Sequence, residues 1–306
     1  MSDTTGSTPP PPPAPSKLRT FLRRLFSFLV LWTIVLTALF SASRMVSNYV
    51  FLVIMVFLAA TGMAEFYGLA QKRGLVCFER WGLFGGLLLM IGTFLNLTGV
   101  LGTSLTPSRV NDFETSFLIL FVLGLCLRQF FSRSNTAAMV AISTTLFGLM
   151  YVAYLLNFIQ KINFFIGVGG HYYLLYFVLI TKFSDTGAYS VGSLIGKHKM
   201  IPRVSPGKTW EGFGGAIVVS TVASVVFVHL LQPKMPAMSW VHAVILGVLL
   251  SLGAVVGDLV ESIFKREAGI KDSGRFFPGI GGILDLLDSL LFNAPIMYLY
   301  LRHILT

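Results

Sequence analysis

Nine apolar runs divide this chain, at roughly 25–42, 45–64, 82–103, 115–131, 136–158, 172–190, 211–231, 239–257 and 283–302. Several approach the ~20 residues with which an α-helix crosses the hydrocarbon core of a bilayer. Hydrocarbon offers backbone amides no partner, so such segments fold as helices that satisfy their own hydrogen bonds. Only 12% of the 306 residues are charged, against about a quarter in an average soluble protein, too few to cover a water-soluble fold of this size. Two cysteines exclude a disulfide scaffold. The expected fold is all-α, a polytopic integral membrane protein with about nine transmembrane helices. The sixth run is the least apolar, because it contains Lys182 and Asp185.

The first 16 residues, MSDTTGSTPPPPPAPS, have almost no apolar side chain and read as a disordered Pro-rich extension. Residues 17–306 read as a single multi-pass membrane domain. Lys17, Arg19, Arg23 and Arg24 precede the first run, and Ser41 and Ser43 follow it, which is also the layout of a signal peptide. The long Pro-rich lead argues against cleavage, and the later topology is the same either way. With the N-terminus in the cytosol, 17 of the 23 Lys and Arg fall in cytosolic segments and five outside, with Lys182 inside a span. This bias supports nine spans with a cytosolic N-terminus and an outside C-terminus. It also accounts for the net charge of +10, since the basic residues form short tracts between spans and not one patch. No nucleic-acid partner is expected. Gly82 and Gly86, and Gly253 and Gly257, have the small-xxx-small spacing that lets helices approach closely, and read as packing.

Six of the 13 acidic residues lie between 258 and 288: Asp258, Glu261, Glu267, Asp272, Asp285 and Asp288. Ionisable groups at membrane depth are costly and default to function. Glu267 fits a solvated loop. Asp285 and Asp288 do not, because they lie three apart at the start of the last apolar run, among Leu286, Leu287, Leu290 and Leu291. Two carboxylates so placed need a cation between them or a proton on one. Hard oxygen ligands open to the cytosol suggest Mg²⁺, with a second cation as an option and Asp258 as a third ligand. Lys265, Arg266, Lys271 and Arg275 lie beside these acids. Metal ligands with cations suit a polyphosphate substrate, and a positive-inside cluster is the simpler alternative.

A second tract, from Ser184 to Gly212, is Gly-rich and basic, with Asp185 at one end and Glu211 at the other. Gly207-Lys208-Thr209 matches the end of a P-loop, but Pro202 stands where that motif needs its first glycine, and no β-strand is expected before it. Backbone amides and lysines here suit phosphate, with Lys208 the leading candidate. Lys182 and Asp185 share a helix face that is expected to point into the protein, either as part of the site or as a structural ion pair.

Together the two tracts resemble the CDP-diglyceride synthetases, the phosphatidate cytidylyltransferase family. Ser262, Lys265, Arg266, Lys271, Asp272, Pro278, Gly281, Gly282, Asp285 and Asp288 match the family's C-terminal signature in register. Upstream, Ser184-Asp185-Thr186-Gly187-Ala188-Tyr189 and Ser205-Pro206-Gly207-Lys208-Thr209-Trp210-Glu211-Gly212 resemble it as well. The likeness is sharp over about 181–295. Ile280 stands where the signature has His, and Leu286 where it has Arg between the paired aspartates. Arg266 or Arg275 is expected to supply the cation missing at 286.

The resemblance implies the reaction CTP plus phosphatidate to CDP-diacylglycerol plus pyrophosphate, in phospholipid biosynthesis. It implies catalytic roles for Asp185, Lys208, Lys265, Arg266, Lys271 and Asp272. Ser205, Lys208, Thr209, Glu211 and Arg275 would bind substrate, and Asp258, Asp285 and Asp288 the Mg²⁺. The expected partners are CTP, phosphatidate and the bilayer of a bacterial inner membrane, with a homodimer left open. A CTP-dependent polyprenol-type lipid kinase of the same superfamily and a membrane transporter are the alternatives. The acids cluster on one side and do not form a chain across the bilayer, which argues against transport.

Overall fold

Ser43, Thr209 and Ser239 each start a helix: their side-chain oxygens accept from the backbone N–H of Val46, Gly212 and His242 at 3.5, 3.1 and 3.4 Å. The computed structural model describes residues 32–100, 107–132, 137–165, 167–274 and 281–305. Its long elements are α1 (Arg44–Lys72), α2 (Glu79–Thr98), α3 (Pro107–Phe130), α4 (Ala138–Gly148) and α5 (Leu155–Asn163), then α6 (Gly170–Ile195), α7 (Trp210–Leu231), α8 (Trp240–Glu267) and α9 (Ile283–Tyr300). A π turn, Leu149–Tyr154, joins α4 to α5 in one continuous rod.

Among the described residues, seven helices are long and apolar enough to cross a membrane: α1, α2, α3, the α4–α5 rod, α7, α8 and α9. This is the build of a multi-pass integral membrane protein. The expected count of nine is therefore met at seven positions among the described residues. The sixth expected span is α6, a helix of 26 residues whose polar groups, Lys182 and Asp185 among them, keep it out of the apolar set. It packs against α5, α7, α8 and α9, with Tyr173, Tyr176, Phe177 and Ile180 fully buried. Of the first expected span, 32–40 is helical and 25–31 lies outside the described residues. The Pro-rich extension and the basic residues 17–24 also lie outside them.

One departure from an all-helical chain is a small antiparallel hairpin, β1 (Lys199–Ile201) with β2 (Ser205–Thr209). No strand was expected there from the sequence. Pro202 closes the hairpin turn region and Lys208 lies within β2, so Gly207-Lys208-Thr209 is extended backbone and not a phosphate-cradling loop.

Large apolar side chains occur on both sides of the helices. Tyr67, Phe94 and Leu125 fill the interior, whereas Leu120, Val218 and Leu230 are exposed, as a lipid-facing surface requires. Glycine sets how closely two helix pairs approach. A methyl group at Gly82 or Gly86 would strike Tyr67 or Met63 across the α1–α2 contact. At Gly257 it would come 2.6 Å from the Asp288 carbonyl oxygen, so this glycine brings α9 against α8.

Candidate active site

That close approach of α8 and α9 sets Asp288 beside Asp258 and Glu261. Asp258 and Glu261 are three apart on the last turns of α8 and so share a face. One carboxylate oxygen from each of the three acids lies within 4.8 Å of the other two. Glu261 and Asp288 are buried and Asp258 is half-buried. Glu261 Oε1 has no hydrogen-bond partner among the described residues. Three carboxylates this close, with a buried unsatisfied oxygen, need a cation or a proton among them. An all-oxygen donor set suits a hard divalent ion, so these residues fit Mg²⁺.

Three lysines surround the acids. Lys208 reaches from β2 to Asp258 Oδ2 at 2.8 Å and to the Val255 carbonyl at 3.2 Å. Lys265, one turn beyond Glu261 on α8, pairs with Glu261 and with Asp285 Oδ1 at 2.6 Å. Lys182 on α6 donates to Asp185 Oδ2 at 3.2 Å, Ser289 Oγ at 3.1 Å and the Leu286 carbonyl at 3.1 Å. Asp185 also accepts from Ser289 Oγ at 3.2 Å. Lys182 and Asp185 thus share a face that meets α9, with both side chains partly exposed. An ammonium group has three N–H donors. Lys208 and Lys265 each use two on described partners, and Lys182 uses all three.

Asp285 stands apart from the three-acid group, although the sequence spacing paired it with Asp288. Besides Lys265, its carboxylate accepts from the backbone N–H of Gly282 at 2.7 Å and from Ser273 N and Oγ at 3.0 and 2.9 Å. The carboxylate closes back on the N-terminus of α9, where free amides and the helix dipole favour it. Gly281, at φ +115°, makes the turn into this cap. Glu65 of α1 completes the cap by accepting from Ile283 N and Leu284 N at 3.0 and 2.8 Å, and from Ser273 Oγ at 3.0 Å.

The remaining sequence candidates have other surroundings. Thr209 caps α7. Glu211 accepts from the backbone N–H of Lys197 and His198 at 3.1 and 3.2 Å and contacts His198 Nδ1 at 2.6 Å, which ties the end of α6 to the start of α7. Ser205 is the strand partner of Ile201. Arg266 donates to the Val204 carbonyl at 3.1 Å and to the Ile270 carbonyl at 3.4 Å, so it braces the hairpin and does not reach position 286. Lys271 and Asp272 are exposed on the loop after α8. Arg275, Pro278 and Ile280 lie outside the described residues.

A family model described as the cytidylyltransferase family matches residues 23–304, nearly the whole chain. The chain belongs to the cytidylyltransferase family. Within the family it is 48% identical over 115 residues to a phosphatidate cytidylyltransferase of Mycobacterium leprae, covering 38% of this chain and 36% of that protein. It is 36% identical over 207 residues to a phosphatidate cytidylyltransferase of Staphylococcus saprophyticus, covering 64% and 73%. It is 36% identical over 159 residues to the uncharacterised Escherichia coli protein YnbB, covering 52% and 51%. The chain spans about half the length, or less, of most of these curated relatives.

Proposed function

We propose that this protein transfers the cytidylyl group of CTP to phosphatidate, giving CDP-diacylglycerol and pyrophosphate, for phospholipid biosynthesis. The observation that carries this is the three-acid group of Asp258, Glu261 and Asp288 with lysines on its rim. Two relatives named phosphatidate cytidylyltransferase support the choice of substrates. Both substrates are anionic at the reacting centre, so catalysis is positioning and charge neutralisation. Asp258, Glu261 and Asp288 would hold Mg²⁺, which supplies Lewis-acid stabilisation of triphosphate charge when bound. Lys208 and Lys265 keep an N–H each for phosphate oxygens. Lys208, on the half-exposed hairpin, takes the nucleotide; Lys265, deeper, holds Asp285 and Glu261 in place. A phosphatidate phosphate is ionised at neutral pH, so its oxygen attacks the α-phosphorus without a side-chain base, and pyrophosphate leaves. Lys271 and Asp272, exposed after α8, keep their catalytic roles in this reading, and Arg275 its role in substrate binding.

In this reading nine spans place the N-terminus and the site in the cytosol and the C-terminus outside, in a bacterial plasma membrane, with residues 17–306 as one membrane domain. CTP enters from water and phosphatidate from the leaflet. The test uses purified protein in phosphatidate mixed micelles with Mg²⁺. Label from [α-³²P]CTP should enter lipid and label from [γ-³²P]CTP should not, with EDTA abolishing transfer. Transfer of the γ-label to a lipid alcohol would instead establish the kinase. Light scattering of the same sample separates monomer from homodimer.

A further inference from the structure

Position 286 lies between Asp285 and Asp288, where the family signature carries an arginine and this chain carries Leu286. The change removes a positive charge from the start of α9, beside the three-acid group. Arg266 is committed to the hairpin. The ammonium group that reaches position 286 comes from α6: Lys182 Nζ sits 3.1 Å from the Leu286 carbonyl and 3.1 Å from Ser289 Oγ. Leu286 and Ser289 are three apart, so Lys182 approaches the face of α9 from which a side chain at 286 projects. Asp288 feels the charges of Lys182, Asp258 and Asp185 together. All three Lys182 donors are taken by the protein, so the group has no N–H left for substrate. Its side chain is 30% exposed and that of Asp185 40%, which keeps both at the open rim of the site.

We propose that Lys182 is the positioning cation of this site, supplying from α6 the positive charge that the family signature places at 286 on α9. It fixes Asp185 and Ser289 and offsets the acids beside them. The proposal deepens the function given above and rests on it only for the metal. Its charge acts in two directions. It orients the acids that the reaction needs, and it repels the divalent ion that they bind.

The test is a Mn²⁺ titration of purified full-length protein without substrate, with free Mn²⁺ followed by electron paramagnetic resonance. Lys182→Met should bind Mn²⁺ more tightly than wild type, by roughly fivefold, because a nearby positive charge is gone. Lys182→Arg should stay near wild type. Leu286→Arg in the wild-type background, carrying two cations, should bind more weakly. The double variant, Lys182→Met with Leu286→Arg, should return towards wild type in both Mn²⁺ affinity and turnover, after a loss of turnover on the order of tenfold or more in Lys182→Met alone. Loss of packing alone would loosen Mn²⁺ binding in Lys182→Met and would not be reversed by the second change. Unchanged or weaker binding in Lys182→Met, no effect of Leu286→Arg on wild type, or a double variant no better than Lys182→Met overturns the proposal. If wild type fails to turn over CTP and phosphatidate, the assigned reaction falls, and the Mn²⁺ series still decides whether the charge has moved from 286 to 182.

Discussion

Near the C-terminal end of α9, Lys161 and Glu114 pair with side chains only 4% exposed, and Lys161 lies over the Phe158 and Tyr298 rings. Both Glu114 oxygens are engaged, one by Lys161 and the other by Asn157 Nδ2 at 2.6 Å. Asn157 in turn bonds Thr93, and Gln160 donates to Asn157. At the other end of α9, five carboxylates, Asp185, Asp258, Glu261, Asp285 and Asp288, face three lysines. The first region has one acid, one base and a filled carboxylate. Among the described residues, the second has an excess of acid, two lysines with an unused donor and a bare Glu261 oxygen. Burying charge costs free energy in both places. The closed pair offsets the cost with its own partners and so serves the fold. The open group leaves part of the cost standing, for a bound cation or a proton to relieve.

The largest effect separating the two should come from Glu114→Ala, which strands Lys161 in the bundle at a cost of about 3–5 kcal/mol. Thermal unfolding in detergent should show it, and adding Lys161→Met should recover most of the loss. A silent Glu114→Ala would mean that the pair is not a closed structural unit. Asp288→Asn should do the reverse. Turnover should fall on the order of 100-fold or more, while metal-free stability holds or rises as like charges are relieved. If it unfolds the protein instead, the contrast between the regions fails.

Smaller effects sharpen the picture. Lys208→Ala should raise KM for CTP roughly tenfold to a hundredfold, the worth of a charge-assisted contact of about 1.5–3 kcal/mol. Asp285→Asn should lower stability by about 1–2 kcal/mol through the loosened α9 cap and keep the wild-type Mg²⁺ requirement, so a metal titration distinguishes it from Asp288→Asn. Arg73→Ala, which breaks an exposed pair with Glu267, belongs to neither region and should shift stability by less than about 1 kcal/mol.

Apolar run length made the spanning helices legible, and the spacing of Asp258, Asp285 and Asp288 marked the end of the bundle where the acids gather. Asp285 is the instructive case. It is three residues from Asp288 in sequence, but it lies in the first turn of α9, where its carboxylate also accepts from the Gly282 and Ser273 backbone N–H groups, a cap that the spacing alone does not announce. Glu261 carried a usable signal, being three residues from Asp258 on one helix. Glu65 carried none, because it lies more than 200 residues from the amides it holds. Lys182 and Asp185 lower the apolarity of the sixth run because their face of α6 meets the polar start of α9, and only the packing of the two helices shows this.

Glu65 also has a bearing on biogenesis. It belongs to α1, the first of the long helices to leave the ribosome, and the turn that it secures opens α9, the last. Each new chain must therefore hold a finished acceptor through the insertion of every intervening helix before its opposite end arrives. Nascent molecules halted between α8 and α9 carry Asp258 and Glu261 without Asp288. The three-acid group is therefore complete only once the last of the long helices has docked.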